Sequence, residues 1–495
     1  MALEVEDKFD VPPGFLIPDM SRVPDCAVVA GPRSYRMVAL YFDTPDLRLA
    51  ARGITLRRRR GGDDAGWHLK LPKVKGAREE IAVPLTRSVK VVPPEIADLV
   101  LAYSRREPLV PVAELATRRE VTVLRDAEGR DLVEIADDSV KGTVYGQVFG
   151  GEERVERWRE VEAELKEGEL IHLKRAGKAL RKAGAAPAAS GSKLGRLLGD
   201  AVPVSELAGP PEDTAGRVVI DYLKSQVDAL TGQDPQVRRE AYDAVHQMRV
   251  ASRRLRSAMK SFDSVVAETD DLQEELRWIA GVLGEARDLE VIHERFGKLL
   301  GTLAPDMVVG PVRVRLDEDL LARHREALVR VDAAMRSERY YSLLDRLDAL
   351  VANPPLTPLA MKKADKVLDK VAVKSWMRVV KKYDTAQSME DPDKREVAMH
   401  DVRKAAKRAR YTAEALKSLL GDRATAMAKR AKTVQEVLGL HQDGVVAQEI
   451  LSEEAARARA AGEDTFTYGV LVGLEHAEAK RSHEEFPRVW AEAQS

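Results

Sequence analysis

A histidine followed by four cations occurs twice in this chain in the same register, and no other feature constrains the fold as tightly. The first copy reads His246-Gln-Met-Arg249-Val-Ala-Ser-Arg253-Arg254-Leu-Arg256, the second His400-Asp-Val-Arg403-Lys404-Ala-Ala-Lys407-Arg408-Ala-Arg410, each matched position displaced by 154. A second block follows each copy, Leu283-Gly284-Glu-Ala-Arg287-Asp288-Leu-Glu-Val291 and then Leu438-Gly439-Leu-His-Gln442-Asp443-Gly-Val-Val446, displaced by 155. Self-similarity at a fixed offset marks a tandem repeat, here of a helical unit. At about 100° per residue, His246, Arg249, Arg253, Arg256 and Lys260 share an arc of roughly 80°, with Met248, Leu255, Met259 and Phe262 on the opposite side. No Asp or Glu stands between Ala244 and Phe262. The i,i+4 pairs Arg249/Arg253 and Arg256/Lys260 therefore repel by a few tenths of a kcal/mol each, a penalty that a polyanion would remove. The bland alternative is a solvated face, or one paired to acids elsewhere; duplication in register argues against it.

Composition bounds the rest. With 495 residues, 44% hydrophobic and 33% charged, the chain is long enough for two or three globular domains. No stretch reads as a membrane span, and the start Met-Ala-Leu-Glu-Val-Glu lacks a basic run leading into an apolar one, so a cytoplasmic location is expected. One cysteine, Cys26, excludes an internal disulfide framework and a CxxC metal site. The net charge is −1, so any affinity for anions must come from local patches.

The pattern changes near residue 200. Up to about Leu165, short alternating segments are broken by turn signals such as Gly61-Gly62 and Glu128-Gly129, which predicts antiparallel strands. Beyond Thr214 the pattern is of long amphipathic helices, and the surroundings of Gly209-Pro-Pro-Glu-Asp213 are the expected linker. In the strand region, Glu4, Glu6 and Lys8 fall on one face because side chains alternate with period two. The same parity recurs in Arg57-x-Arg59, Arg78-x-Glu80 and Glu160-Val-Glu162-Ala-Glu164, with Leu56, Val161, Ala163 and Leu165 on the other side. Alternation usually means a wet outer face. Here carboxylates gather on some strands and cations on others, as in a single cavity that holds a metal and a polyanion together.

Glu4-x-Glu6-x-Lys8, Tyr41-Phe-Asp43-Thr44, Gly53-Ile-Thr-Leu56-Arg57-Arg-Arg59, Trp67-His-Leu-Lys70, Arg78-Glu-Glu80 and Trp158-Arg-Glu160-Val-Glu162-Ala-Glu164-Leu165 together resemble a CYTH domain, the triphosphate tunnel fold. The repeats headed by His246 and His400 resemble the CHAD domain, the conserved-histidine α-helical domain. Their order is that of bacterial CYTH–CHAD proteins over essentially the whole chain. The resemblance implies an α+β protein: an antiparallel eight-stranded β tunnel barrel in residues 1–200, a linker at 201–212, and an all-α domain at 213–495. That helical domain would hold two tandem helical-bundle repeats, about 213–303 and 360–460, joined by helices at about 304–359.

The resemblance also implies roles. Glu4, Glu6, Glu160 and Glu162 would hold Mg²⁺ or Mn²⁺, with Asp138 and Glu164 as further ligands, because hard cations take carboxylate oxygens. Lys8 and Glu80 would join Glu4, Glu6, Glu160 and Glu162 in catalysis. Lys8, Arg57, Arg59, Lys70, Arg78, Arg119 and Lys193 would grip phosphates; Arg119 is preferred to Arg118 because the family's arginine stands just before the apolar strand. His246, Arg249, Arg253, Arg254, Arg256 and Lys260, with His400, Arg403, Lys404, Lys407, Arg408 and Arg410, would bind inorganic polyphosphate, with association to polyphosphate granules as a further implication. The expected function is metal-dependent hydrolysis of inorganic triphosphate, or of a related triphosphorylated substrate, coupled to polyphosphate binding. Adenylyl cyclase chemistry, hydrolysis of an organic triphosphate and non-catalytic polyphosphate binding remain the alternatives, since the fold alone does not fix the reaction. Nucleic acid is disfavoured by an aromatic content of 5%. The histidines either touch phosphate as imidazolium, weakening as pH rises through about 6.5, or orient neighbouring arginines.

Overall fold

The computed structural model describes residues 5–62, 64–72, 78–148, 150–203 and 209–494; Glu4 and the side chain of Arg78 lie outside that set. The chain divides into two compact units, Met1–Glu206 and Leu207–Ser495.

The first unit is one antiparallel sheet. Its strands are β1 (Glu6–Asp10), β2 (Val28–Asp43), β3 (Thr55–Arg60), β4 (Gly66–Pro72), β5 (Arg78–Val83), β6 (Val110–Arg125), β7 (Asp131–Val144), β8 (Arg154–Leu165) and β9 (Ala186–Pro187), in the order β5-β4-β3-β2-β6-β7-β8-β1-β9. There are nine strands and not eight, because the two-residue β9 pairs with Phe9 and Asp10 of β1. Gly184, at φ +105°, turns the chain there, and Pro187 lacks the N–H needed to prolong a ladder. Among the described residues no ladder joins β5 to β9, so the sheet curls around its cavity without hydrogen-bonded closure.

Alternation decides what faces inward. Outward-facing Phe9, Val133, Ile135, Val161 and Ala163 are buried beneath Leu173, Ala176 and Leu180 of α3 (Leu170–Lys182). Leu56, Trp67 and Leu69 pack under the short helices α1 (Pro94–Ala97) and α2 (Leu101–Ser104), through Ile96 and Tyr103. Glu6, Lys8, Arg57, Lys70, Arg119 and Glu162 are thereby left to the concave face. A plug, α4 (Lys193–Leu198), packs Leu194 and Leu197 against Leu115, Val140 and Trp158. A Cβ at Gly142 would stand 2.7 Å from Leu197 Cδ1, so only glycine seats the plug there. Asp43 braces the loop after β2: its carboxylate accepts the backbone N–H groups of Thr44, Leu49 and Ala50 at 2.7–2.8 Å.

The second unit is helical: α5 (Ala215–Arg238), α6 (Ala244–Ser261), α7 (Asp270–Thr302), α8 (Val312–Met335), α9 (Glu338–Ala352), α10 (Ala364–Gln387), α11 (Pro392–Ala415), α12 (Lys417–Leu420), α13 (Asp422–Ala460) and α14 (Phe466–Gln494). Helices α5 to α8 pack in succession, as do α10, α11, α13 and α14. Helix α8 lies on α7 as α14 lies on α13, so the repeat unit has four helices and runs past residues 303 and 460. Met248, Leu255, Met259 and Phe262 are buried, as the helical pattern requires. The His/Arg helices α6 and α11 touch, with Thr412 Oγ1 donating to Ser261 Oγ at 2.8 Å. No helix among the described residues is long and apolar enough to cross a membrane.

Candidate functional site

Cross-strand register builds the tunnel site from residues far apart in sequence. Partners opposite one another in an antiparallel pair share a face. One row contains Glu6, Glu164 and Glu134; the next contains Lys8 and Glu162; a third contains Glu160, Asp138 and Arg119. On the far side of the curve, Arg57 stands opposite Tyr41 and Lys70 opposite both Thr55 and Glu80. Apart from Glu160 and Asp138, which are buried beside Lys193, these residues line one cavity of about 390 Å³.

Glu162 is the hub of the acidic wall. It accepts from Lys193 Nζ at 2.8 Å and Arg119 Nη2 at 2.6 Å, and pairs with Lys8 Nζ at 3.1 Å. Burial alone would raise its pKa, but Lys193, Lys8 and Arg119 outweigh burial and hold the carboxyl well below the usual range. Lys193 Nζ also reaches Glu160 at 2.6 Å and Asp138 at 3.0 Å. Burial opposes its charge, yet the three carboxylates push its pKa up. Arg119 forks onto both oxygens of Asp138 at 2.8 and 2.6 Å. Trp158 Nε1 donates to Glu160 at 2.6 Å and fixes that carboxylate.

The opposite wall is cationic. Glu80 stands there, not among the expected metal ligands: His68 lies 2.9 Å away, Lys70 3.1 Å and Arg57 3.8 Å. The His68 hydrogen bond, then Lys70 and Arg57 against an opposing burial effect, bring Glu80 down to about 2. Glu80 therefore braces Arg57, His68 and Lys70 on the cationic side of the cavity. Arg59 pairs with Asp64; burial, Arg57 and Arg119 lower its pKa to about 10. Arg119 points into the cavity, whereas Arg118 is exposed and pairs with Glu120 at 3.0 Å. Sequence reasoning missed Glu134 and Lys166, which also line the cavity. The signal for Glu134 was its parity with Asp138.

Lys193 Nζ stands 2.6–3.0 Å from Glu160, Glu162 and Asp138, so a divalent cation held by these three carboxylates would take the place of that ammonium. Oxygen atoms of Asp138, Glu160 and Glu162 all lie within 4.8 Å of one another. Six carboxylates (Glu6, Glu134, Asp138, Glu160, Glu162, Glu164) against four cations (Lys8, Arg119, Lys166, Lys193) leave a charge of −2. Carboxylate-only donors suit Mg²⁺ or Mn²⁺.

In the helical unit, the two repeated blocks meet as matching brackets. Arg249 Nη1 donates to Asp288 at 2.9 Å, and Arg403 Nη2 stands 3.7 Å from Asp443. The acids missing from α6 thus arrive from α7 and α13, through the second repeated block. Each guanidinium lies over the glycine of that block: a Cβ at Gly284 would sit 3.2 Å from Arg249 Nη2, and one at Gly439 3.1 Å from Arg403 Nη2. Replacing either glycine by alanine should raise helix stability, by roughly 0.5–1 kcal/mol, while displacing the arginine. Melting temperature is expected to hold or rise as polyphosphate affinity falls roughly three- to tenfold, about 1 kcal/mol; unchanged affinity in both variants would remove the bracket from the account.

Arg253, Lys407, Arg249 and Arg403 are mutual electrostatic neighbours. Arg254 and Arg410 are drawn elsewhere, both onto Glu414 at 2.9 and 2.7 Å and over the Tyr411 ring. Lys404 pairs with Asp401, Arg256 and Arg408 face other cations, and Lys260 is exposed. Neither His246 nor His400 makes a hydrogen bond among the described residues; burial first, then Arg287 for His246 and Lys404 for His400, push both below 6.5. Burial, then Arg253, Arg403 and Arg249, press Lys407 down to about 7, with Asp443 opposing. A bound anion would raise that value, so binding takes up a proton. Polyphosphate affinity should fall as pH rises above about 7, in a window clear of both histidines, and Lys407→Arg should flatten the slope; an identical pH profile in that variant would contradict the assignment.

A curved antiparallel sheet with facing acidic and basic walls, followed by duplicated cationic helices, defines a tunnel domain joined to a helical domain. The CYTH domain family matches residues 2–197 and the CHAD domain family residues 221–452. The chain belongs to the CYTH–CHAD family. Two uncharacterized proteins from two strains of Mycobacterium tuberculosis are each 41% identical to it over 498 residues, covering 98% of this chain and 94% of theirs. Among solved structures, PptA from Streptomyces chartreusis is similar at 22% identity and a TM-score of 0.46, covering 56% of this chain and 99% of its own. The CHAD domain from Ricinus communis is similar at 24% identity and a TM-score of 0.47, covering 59% and 96% respectively.

Proposed function

We propose that the tunnel hydrolyses the terminal phosphoanhydride bond of inorganic triphosphate, with Mg²⁺ or Mn²⁺, and that the helical unit binds polyphosphate through Arg249, Arg253, Arg403 and Lys407. The observation that carries this reading is the pair of opposed walls in one cavity of about 390 Å³. Asp138, Glu160 and Glu162, with Glu6, would hold the metal. When bound, it supplies Lewis-acid polarisation of phosphoryl oxygens and acidifies a water.

Arg57, Arg59 and Lys70 grip the phosphate chain from the other side, the guanidiniums as forks and the lysine as a point charge. Lys8, Lys193 and Arg119, between the two walls, absorb charge as water attacks the terminal phosphorus in line and the bridging oxygen leaves with pyrophosphate. Glu80 keeps Lys70 and Arg57 pointed at the chain.

The test is phosphate release from inorganic triphosphate, ATP, thiamine triphosphate and long-chain polyphosphate under Mg²⁺ and Mn²⁺. Inorganic triphosphate should be turned over fastest. Conversion of ATP to a cyclic nucleotide and pyrophosphate, with no orthophosphate from triphosphate, would overturn the reading.

A further inference from the structure

The outward face of the same sheet carries a second cationic surface. Register aligns Arg36, Arg118, Ser139 and Arg159 in one row, and Arg60, Val38, Ala116, Lys141 and Arg157 in the next. Arg118 and Arg159 have carboxylate partners, Glu120 and Asp137. Arg36, Arg60, Lys141 and Arg157 are exposed, and none of their side chains has an ion pair or hydrogen bond among the described residues. Arg36 lies directly opposite Arg118, and Lys141 directly opposite Arg157. Like charges in directly opposed positions destabilise a sheet unless something neutralises them.

A groove of about 400 Å³ runs between these side chains, lined by Arg36, Val38, Arg118, Ser139, Lys141 and Arg157. The second row crosses five strands, about 19 Å at about 4.8 Å per interstrand step. That span exceeds a single triphosphate and suits a linear polyanion. Trp158 also borders the groove, but it is buried and its Nε1 is engaged by Glu160, so no ring is presented for stacking a base.

We propose that this outer groove is a second phosphate-chain site, separate from the tunnel, that holds an extended stretch of polyphosphate. It stands on register and charge, independently of hydrolysis in the tunnel.

The test uses the full chain. Long-chain polyphosphate binding is compared in wild type, Lys141→Glu/Arg157→Glu, Arg253→Glu/Lys407→Glu and the fourfold variant. Binding that survives the helical double change should weaken about tenfold or more when the groove changes are added. Hydrolysis of triphosphate by Lys141→Glu/Arg157→Glu should match wild type. Saturating long-chain polyphosphate should also protect the Lys141 amine from acylation, read by mass spectrometry, which reports on the groove even if the helical face behaves otherwise. Lys141→Gln/Arg157→Gln, with no added anions, should show a smaller loss in the same direction. The proposal is overturned if neither groove variant changes binding and Lys141 stays unprotected, or if single-stranded DNA of equal phosphate number displaces polyphosphate and binds more tightly.

Discussion

Glu162→Gln is expected to cut phosphate release from triphosphate by about a thousandfold, equivalent to about 4 kcal/mol. Among the described residues, Glu162 is the one carboxylate that meets Lys8, Arg119 and Lys193 together, at 3.1, 2.6 and 2.8 Å. Removing its charge changes the wall from −2 to −1 and removes one of the three clustered carboxylates of the proposed metal site. Gln keeps the shape and one acceptor oxygen, so most of the packing survives. Breaking a buried ion pair nevertheless costs roughly 3–5 kcal/mol when a charge is left alone. Here each cation retains another carboxylate: Glu6 for Lys8, Asp138 for Arg119, Glu160 and Asp138 for Lys193. The variant should therefore fold, with a circular-dichroism spectrum like that of wild type and with polyphosphate binding by the helical unit retained. Turnover within threefold of wild type would place the metal elsewhere.

Reversing Arg253 and Lys407 to Glu should lower polyphosphate affinity by about two orders of magnitude or more, with the salt slope reduced by about two. Both are largely buried among cations, and desolvation and like charges already lower their pKa values. A cluster of like charges gains most from an anion, and two introduced carboxylates would satisfy Arg249 and Arg403 internally. The control is Lys298→Glu, at an exposed position with Glu294 3.9 Å away, where little change is expected. Equal losses in both would mean that only overall charge matters.

What could be read from the sequence follows from periodicity. Period two fixed which side of its strand each of Lys8, Arg57 and Glu162 occupies, the family resemblance picked out Lys70 and Arg119, and all five line the cavity. It could not place strands relative to one another, which is why Glu80 was grouped with the acids although its neighbours are His68, Lys70 and Arg57. Glu134 was hidden because Asp137, on the outer face with Arg159, interrupts the polar-in, apolar-out alternation of β7. The role of the second repeated block was equally illegible. Gly284 and Gly439 carry no side chain, and their meaning appears only when Arg249 and Arg403 lie across them. Helices α8 and α14 contain no His/Arg block, so nothing in the duplicated pattern marked them as the fourth member of each repeat.

The most direct measurement is orthophosphate release from inorganic triphosphate by the full chain, stripped of metal with EDTA and then titrated with Mg²⁺ or Mn²⁺. No release is expected from the stripped protein, with saturable recovery on adding metal and no recovery in Glu162→Gln at any metal concentration that restores wild type. Undiminished release in EDTA, or triphosphate bound in the tunnel but left intact at every metal concentration, would contradict metal-dependent hydrolysis in the tunnel.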